Sequence, residues 1–188
     1  MKSYVFRESG APLVEVETPD PVPGGTEVLM EVRHCGVCHT DVHLRQGWFD
    51  LGGGKRLASK LTLPHVLGHE IEGAVVASGP AAGPLAAGAR YAVFPWIGCG
   101  RCRACLRGEE NVCLGETRQL GCSSACPGGY ATHVLVPHPR YLLDLAGLGP
   151  RDYRLHPAVL VLDAQQGAAV QDWPSTIGND RCRLLGDR

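Results

Sequence analysis

Four cysteines stand close together at Cys99, Cys102, Cys105 and Cys113, separated by spacers of two, two and seven residues. Thiolates are soft ligands, and zinc takes four of them in a tetrahedron. Two-residue spacers turn consecutive thiolates toward one point, and the longer excursion brings the fourth in from another side. Gly98, Gly100 and Gly108 provide the tight backbone such a loop needs. With every ligand position taken by cysteine, no place is left for water, so the ion would be structural and not catalytic. Arg101, Arg103 and Arg107 are near enough in sequence to offset the charge of four thiolates, although solvated surface arginines are the simpler reading. The competing reading of the whole loop is four reduced or disulfide-paired cysteines.

A second group has types suited to chemistry: His34-Cys35-Gly36-Val37-Cys38-His39-Thr40-Asp41-Val42-His43, and then Pro64-His65-Val66-Leu67-Gly68-His69-Glu70. By themselves these residues decide little. Buried cysteines and hydrogen-bonded core histidines are common. Cys122 and Cys126 carry no assigned role.

Positioning such groups calls for a rigid scaffold, and the sequence points to a mainly β one. The chain has 188 residues, enough for one well-buried domain and a small appendage. Gly (25) and Pro (14) are abundant while aromatic residues are 6%, a balance that suits a turn-rich β domain better than a helical bundle. Glu27–Arg33 alternates with a period of two, which puts Val28, Met30 and Val32 on one face. Further strands are expected at Ile71–Ser78, Tyr91–Phe94 and Tyr130–Val136, with a short helix at Asp41–Gln46 capped by Thr40. After Pro150 the texture changes. Leu155–Leu162 suits a short apolar element, and Gln165–Arg188 has no period, so 151–188 is expected to be irregular and separate from a 1–150 domain.

Composition narrows the function as well. A formal net charge of −1 and the absence of a basic run give no support for nucleic-acid or anionic-membrane binding. No stretch approaches the roughly 20 apolar residues of a membrane span. Met1–Arg7 is interrupted by charge at once and lacks a signal-peptide core, so a cytoplasmic setting is expected. In a reducing compartment the nine cysteines read as metal ligands before disulfides.

Several motifs in order resemble the zinc-containing medium-chain alcohol dehydrogenases: Cys35-Gly36-Val37-Cys38-His39-Thr40-Asp41, Gly68-His69-Glu70, the four-cysteine loop and Gly128-Gly129-Tyr130-Ala131-Thr132-His133-Val134. Pro95–Gly100 and Pro137–Leu142 are similar to one bacterial branch of that family. The resemblance covers about residues 2–150. It implies a GroES-like β-barrel catalytic domain and the NAD(P)-dependent oxidation of a small alcohol or reduction of an aldehyde. By it, Cys38 and His69 would be ligands of a catalytic zinc, and Glu70 the carboxylate that approaches or replaces one. Asp41 would orient the His69 ring, Thr40 and His43 would relay the alcohol proton, and His39 would approach the cofactor pyrophosphate. Trp48 and Trp96 would wall the substrate pocket, with ordinary core packing as the other reading.

The departures are equally specific. Family members are roughly twice this length, and no Gly-x-Gly-x-x-Gly dinucleotide loop occurs here. A third zinc ligand, expected in a Cys-Ser-Gly-like stretch just after 150, is missing, since Cys182 comes too late. Asp180–Gly186 resembles the first strand of a cofactor domain, so 151–179 reads as a frameshifted window or as an unusual natural tail. Glu72 stands where a small or apolar residue is usual, and Ala89 where the Gly-Asp-Arg turn has Asp. The expected outcome is an intact structural zinc loop, an incomplete catalytic site, and no alcohol oxidation by this chain alone. A non-catalytic zinc module or partner-dependent subunit is the alternative, and thiol redox or metal buffering a further one. The substrate alcohol, NAD against NADP, and the oligomeric state, homo-oligomer included, are left open.

Overall fold

In the computed structural model, which describes residues 1–147 and the backbone of 160–163, two sheets share one core. A three-stranded sheet is formed by β1 (Lys2–Phe6), β2 (Val14–Glu17) and, on the other side of β1, β6 (His65–Val66). The larger sheet is built around β3 (Val28–Val37). Helix α1 (His39–Gln46) follows it directly, and then the hairpin of β4 (Trp48–Asp50) and β5 (Arg56–Ala58). β7 (Glu70–Ser78) pairs with β3 along its length, and β8 (Arg90–Val93) with β7. β9 (Trp96–Ile97) and β10 (Arg118–Gln119) pair across the base of the cysteine loop. β11 (His133–Val136) lies beside the first half of β3, and β12 (Leu142–Asp144) closes the far edge on β8. Within the segment expected to be irregular, β13 (Leu160–Asp163) pairs antiparallel with the second half of β3. The remainder of 151–188, Asp180–Gly186 and Cys182 included, lies outside the described residues.

The alternation expected for β3 holds and then changes phase. Val28, Met30 and Val32 are completely buried. The register with β7 slips between Val32 and His34, so Arg33 is an extra, exposed residue. A one-residue bulge exchanges the two faces of a strand. Cys35 and Val37 therefore continue the core, while His34 turns out of it. The same core takes in Phe6, Leu67, Ile71, Val75 and Tyr130.

Several boundaries differ from expectation, β7 and β8 by one residue and two others for a clear physical reason. α1 is capped by Cys38 and not by Thr40, which lies inside the helix. Extended backbone at Cys38 lets its sulfur accept a hydrogen bond from Thr40 N–H, and Asp41 Oδ2 accepts one from Cys38 N–H, a reciprocal cap built with sulfur. β11 begins at His133 because Tyr130 is held outside it: its N–H bonds to Leu67 O and its carbonyl receives Tyr4 N–H. No helix among the described residues is long and apolar enough to cross a membrane.

Candidate metal centres

The cysteine loop folds around two single helical turns, Cys105–Arg107 and Glu110–Val112. Its four thiols converge. Cys102 Sγ lies 3.5 Å from Cys105 Sγ and 3.9 Å from Cys113 Sγ, and Cys99 Sγ is 3.9 Å from Cys105 Sγ. Four sulfurs about 2.3 Å from a tetrahedral zinc stand about 3.8 Å apart, so the spacing fits that ion. Backbone N–H groups prepare the sulfurs for negative charge. Those of Cys105 and Leu114 point at Cys102 and lower its pKa to about 6, while those of Cys99 and Gly115 lower Cys113. Cys105 goes the other way, to about 12, because it is buried among the other thiols. Burial among the other thiols disfavours negative charge on Cys105, a cost that a bound cation would offset.

Glu110 fixes the loop to the domain, and sequence reading missed it. Its buried carboxylate accepts hydrogen bonds from Gly98 N–H at 2.6 Å and Tyr141 Oη at 2.7 Å, with Arg140 Nε at 3.2 Å. Arg140 is thus the arginine anchored to the loop's base, whereas Arg107 pairs with exposed Glu109. The one available signal was the Pro137–Leu142 motif, which supplies Arg140 and Tyr141.

The second group meets where α1 starts and β7 begins. Cys38 Sγ lies 3.1 Å from His69 Nε2. Behind the ring, Asp41 is fully buried. Its Oδ1 accepts from Gly68 N–H at 3.1 Å and sits 3.4 Å from His69 Nδ1. Gly68 has φ +94, and a side chain there would run into Tyr130 and Cys35, so the turn delivering His69 requires glycine. Burial alone would lower the His69 pKa, yet Asp41, Cys122 and Cys38 as hydrogen-bond partners raise it to about 12. Burial would raise Cys38, but His69 and the Thr40 N–H more than offset this, and its pKa falls.

Cys38, Asp41 and His69 can reach a common ion. Both Asp41 oxygens are already engaged by backbone donors, so Asp41 supports the ring while Cys38 and His69 provide the open ligands. Glu70 is not part of this group, but its Oε2 is buried without a partner. His43 Nδ1 is likewise buried and unpartnered, with its ring stacked on His39 and against Phe49. His39 is exposed and Thr40 half-buried. Trp48 carries Arg56 over its ring at 3.9 Å, and Trp96 lies in β9 at the base of the cysteine loop. Cys122, given no role from sequence, has its sulfur 3.3 Å from His69 Nδ1.

Known proteins resemble this chain in sequence and in fold. The family model for the alcohol dehydrogenase GroES-like domain matches residues 24–147. An NAD-dependent alcohol dehydrogenase from Sulfurisphaera tokodaii is 41% identical over 150 residues, 79% of this chain and 42% of that protein. A crystal structure of an NAD-dependent alcohol dehydrogenase is 36% identical with a TM-score of 0.65, over 77% of this chain and 39% of the other. The acetophenone reductase of Geotrichum candidum, solved in complex with NAD, is 36% identical with a TM-score of 0.64, over 79% and 41%. This chain spans about two fifths of the length of the curated relatives it matches first.

Proposed function

The chain belongs to the alcohol dehydrogenase GroES-like domain family, and on that premise we propose that it is the zinc-binding catalytic domain of an NAD(P)-dependent alcohol dehydrogenase. Its substrates would be small alcohols or the corresponding aldehydes. One zinc would be structural, held by Cys99, Cys102, Cys105 and Cys113. A second would be held by Cys38 and His69, with Glu70 as the nearby carboxylate. The observation that carries the reading is the approach of Cys38 Sγ and His69 Nε2 to 3.1 Å on a fully buried Asp41.

Zinc bound there supplies Lewis acidity toward an alcohol or carbonyl oxygen. The residues of this chain do the rest. Asp41 holds the His69 ring against rotation, as an outer partner of a metal-bound histidine does. Thr40 and His43, one turn apart on α1, pass a proton between substrate and solvent, and the unpartnered His43 Nδ1 offers a hydrogen-bonding position for that transfer. Exposed His39, stacked on His43, would face the cofactor phosphates. Free thiols at every described cysteine suit a reducing, cytoplasmic setting.

A second reading is a zinc-binding module that performs no redox chemistry by itself. It is favoured by the second site, where Cys38 and His69 have no third thiolate or imidazole in their metal-reaching group among the described residues. Zinc titration with elemental analysis tests the proposal. One tight equivalent should vanish in Cys102→Ser, and a second, weaker one in Cys38→Ser. No second equivalent at saturating zinc would contradict the catalytic-zinc reading and leave the module.

A further inference from the structure

We propose that Cys122 is a positioning residue for His69: its sulfur accepts the Nδ1–H hydrogen bond and so turns Nε2 toward Cys38. The consequence for metal binding rests on the reading of Cys38 and His69 as a zinc pair, but the hydrogen bond itself does not. His69 Nδ1 has two neighbours. Cys122 Sγ is 3.3 Å away, full contact for an N–H facing the larger sulfur atom. Asp41 Oδ1 is 3.4 Å away, beyond the usual N–H···O range of about 2.7–3.2 Å. Each Asp41 oxygen also takes a backbone N–H, of Cys38 and of Gly68, so the carboxylate divides its hold between the ring, the helix cap and the turn. The carboxylate therefore builds the helix cap and the turn, and Cys122 completes the hold on the ring.

The loop carrying Cys122 is fixed tightly enough for this task. Gly121 N–H bonds to Cys126 O, Cys126 N–H to Ser123 O, and both Cys122 and Ser123 N–H groups to Gln119 O. Gly121 lies so close to Gly68 that a Cβ there would fall 2.3 Å from Gly68 O. The loop is thus pressed against the residue immediately before His69. A thiol accepts hydrogen bonds more weakly than a carboxylate. Cys122 should accordingly orient the imidazole by a weaker bond than a carboxylate would make.

The test uses the full chain with 15N-labelled histidine, in the parent, Cys122→Ala and Cys122→Ser. In the parent, the His69 Nδ1–H resonance should be visible and slow to exchange. Cys122→Ala should shift it or lose it to exchange, and Cys122→Ser, which keeps an acceptor, should restore it. Zinc affinity at the Cys38–His69 site should fall about 10–100-fold in Cys122→Ala and recover in Cys122→Ser. An unprotonated Nδ1 in the parent, or a resonance unchanged in Cys122→Ala, would overturn the proposal. If the parent takes no zinc beyond the four-cysteine loop, the catalytic-zinc reading fails and the Nδ1–H resonance alone decides the role of Cys122.

Discussion

Glu72 and His34 stand opposite each other on β7 and β3, with Glu72 Oε2 2.6 Å from His34 Nδ1. The other Glu72 oxygen receives Arg90, from Nε at 2.9 Å and Nη2 at 2.8 Å. A residue that looks out of place in the sequence is therefore the hinge-pin of three strands, and the bulge at Arg33 is what brings His34 to it. Removing the carboxylate leaves the part-exposed His34 and Arg90 side chains, which water can reach, so the cost is that of hydrogen bonds to a carboxylate. Glu72→Ala should destabilise the domain by about 1–3 kcal/mol with zinc content unchanged. Urea midpoints together with metal analysis check this, and loss of zinc would mean that Glu72 reaches the metal sites.

Glu110 makes a similar claim at the cysteine loop. Its carboxylate gathers Gly98, Tyr141 and Arg140 beneath the thiols. Glu110→Ala should cost about 1.5–3 kcal/mol and speed zinc loss to a chelator, while Glu110→Gln, which keeps an acceptor, should lose less. Equal release rates in all three proteins would show that the loop needs no such anchor.

The pH dependence of the second site follows from its protons. His69, with its pKa raised to about 12, is protonated at neutral pH in the metal-free protein, and Cys38 titrates below the ordinary thiol value. Zinc must displace the proton on Nε2, and the one on Cys38 wherever that is still a thiol. Low pH therefore opposes binding and high pH favours it. Apparent affinity should rise about tenfold per pH unit for each proton released between about pH 6 and pH 8, as competition with a chelator would measure. An affinity independent of pH would mean that the ion does not bind these two groups.

How far the sequence carries depends on how local each feature is. The four-cysteine loop is legible because spacing alone brings its thiols together. The Cys38–His69 pair joins residues far apart in sequence, and the resemblance, not the spacing, pointed to it. Thr40 is the wrong cap because propensity favours hydroxyl residues, whereas here Asp41 and a cysteine sulfur share the work. The phase change in β3 depends on a bulge against β7 that periodicity within one strand cannot reveal. Cys122 and Glu110 act through partners on other loops, and neither has a local pattern.

The window 151–179 is open to a test on nucleic acid. If it is frameshifted, one of the two other reading frames should encode a Cys-Ser-Gly-like motif followed by an amphipathic helix. If neither does, the tail is native, and β13 is then its own contribution to the sheet edge beside β3.

On the proposal above, the loop of Cys99, Cys102, Cys105 and Cys113 is a four-thiolate structural zinc site, separate from the Cys38–His69 pair. X-ray absorption at the zinc edge tests it most directly, on protein carrying one equivalent of the metal. The account predicts a single shell of four sulfurs at about 2.3 Å, with one sulfur or the metal itself lost in Cys102→Ser. A shell containing two or more nitrogen or oxygen atoms, or one unchanged by that substitution, would contradict it.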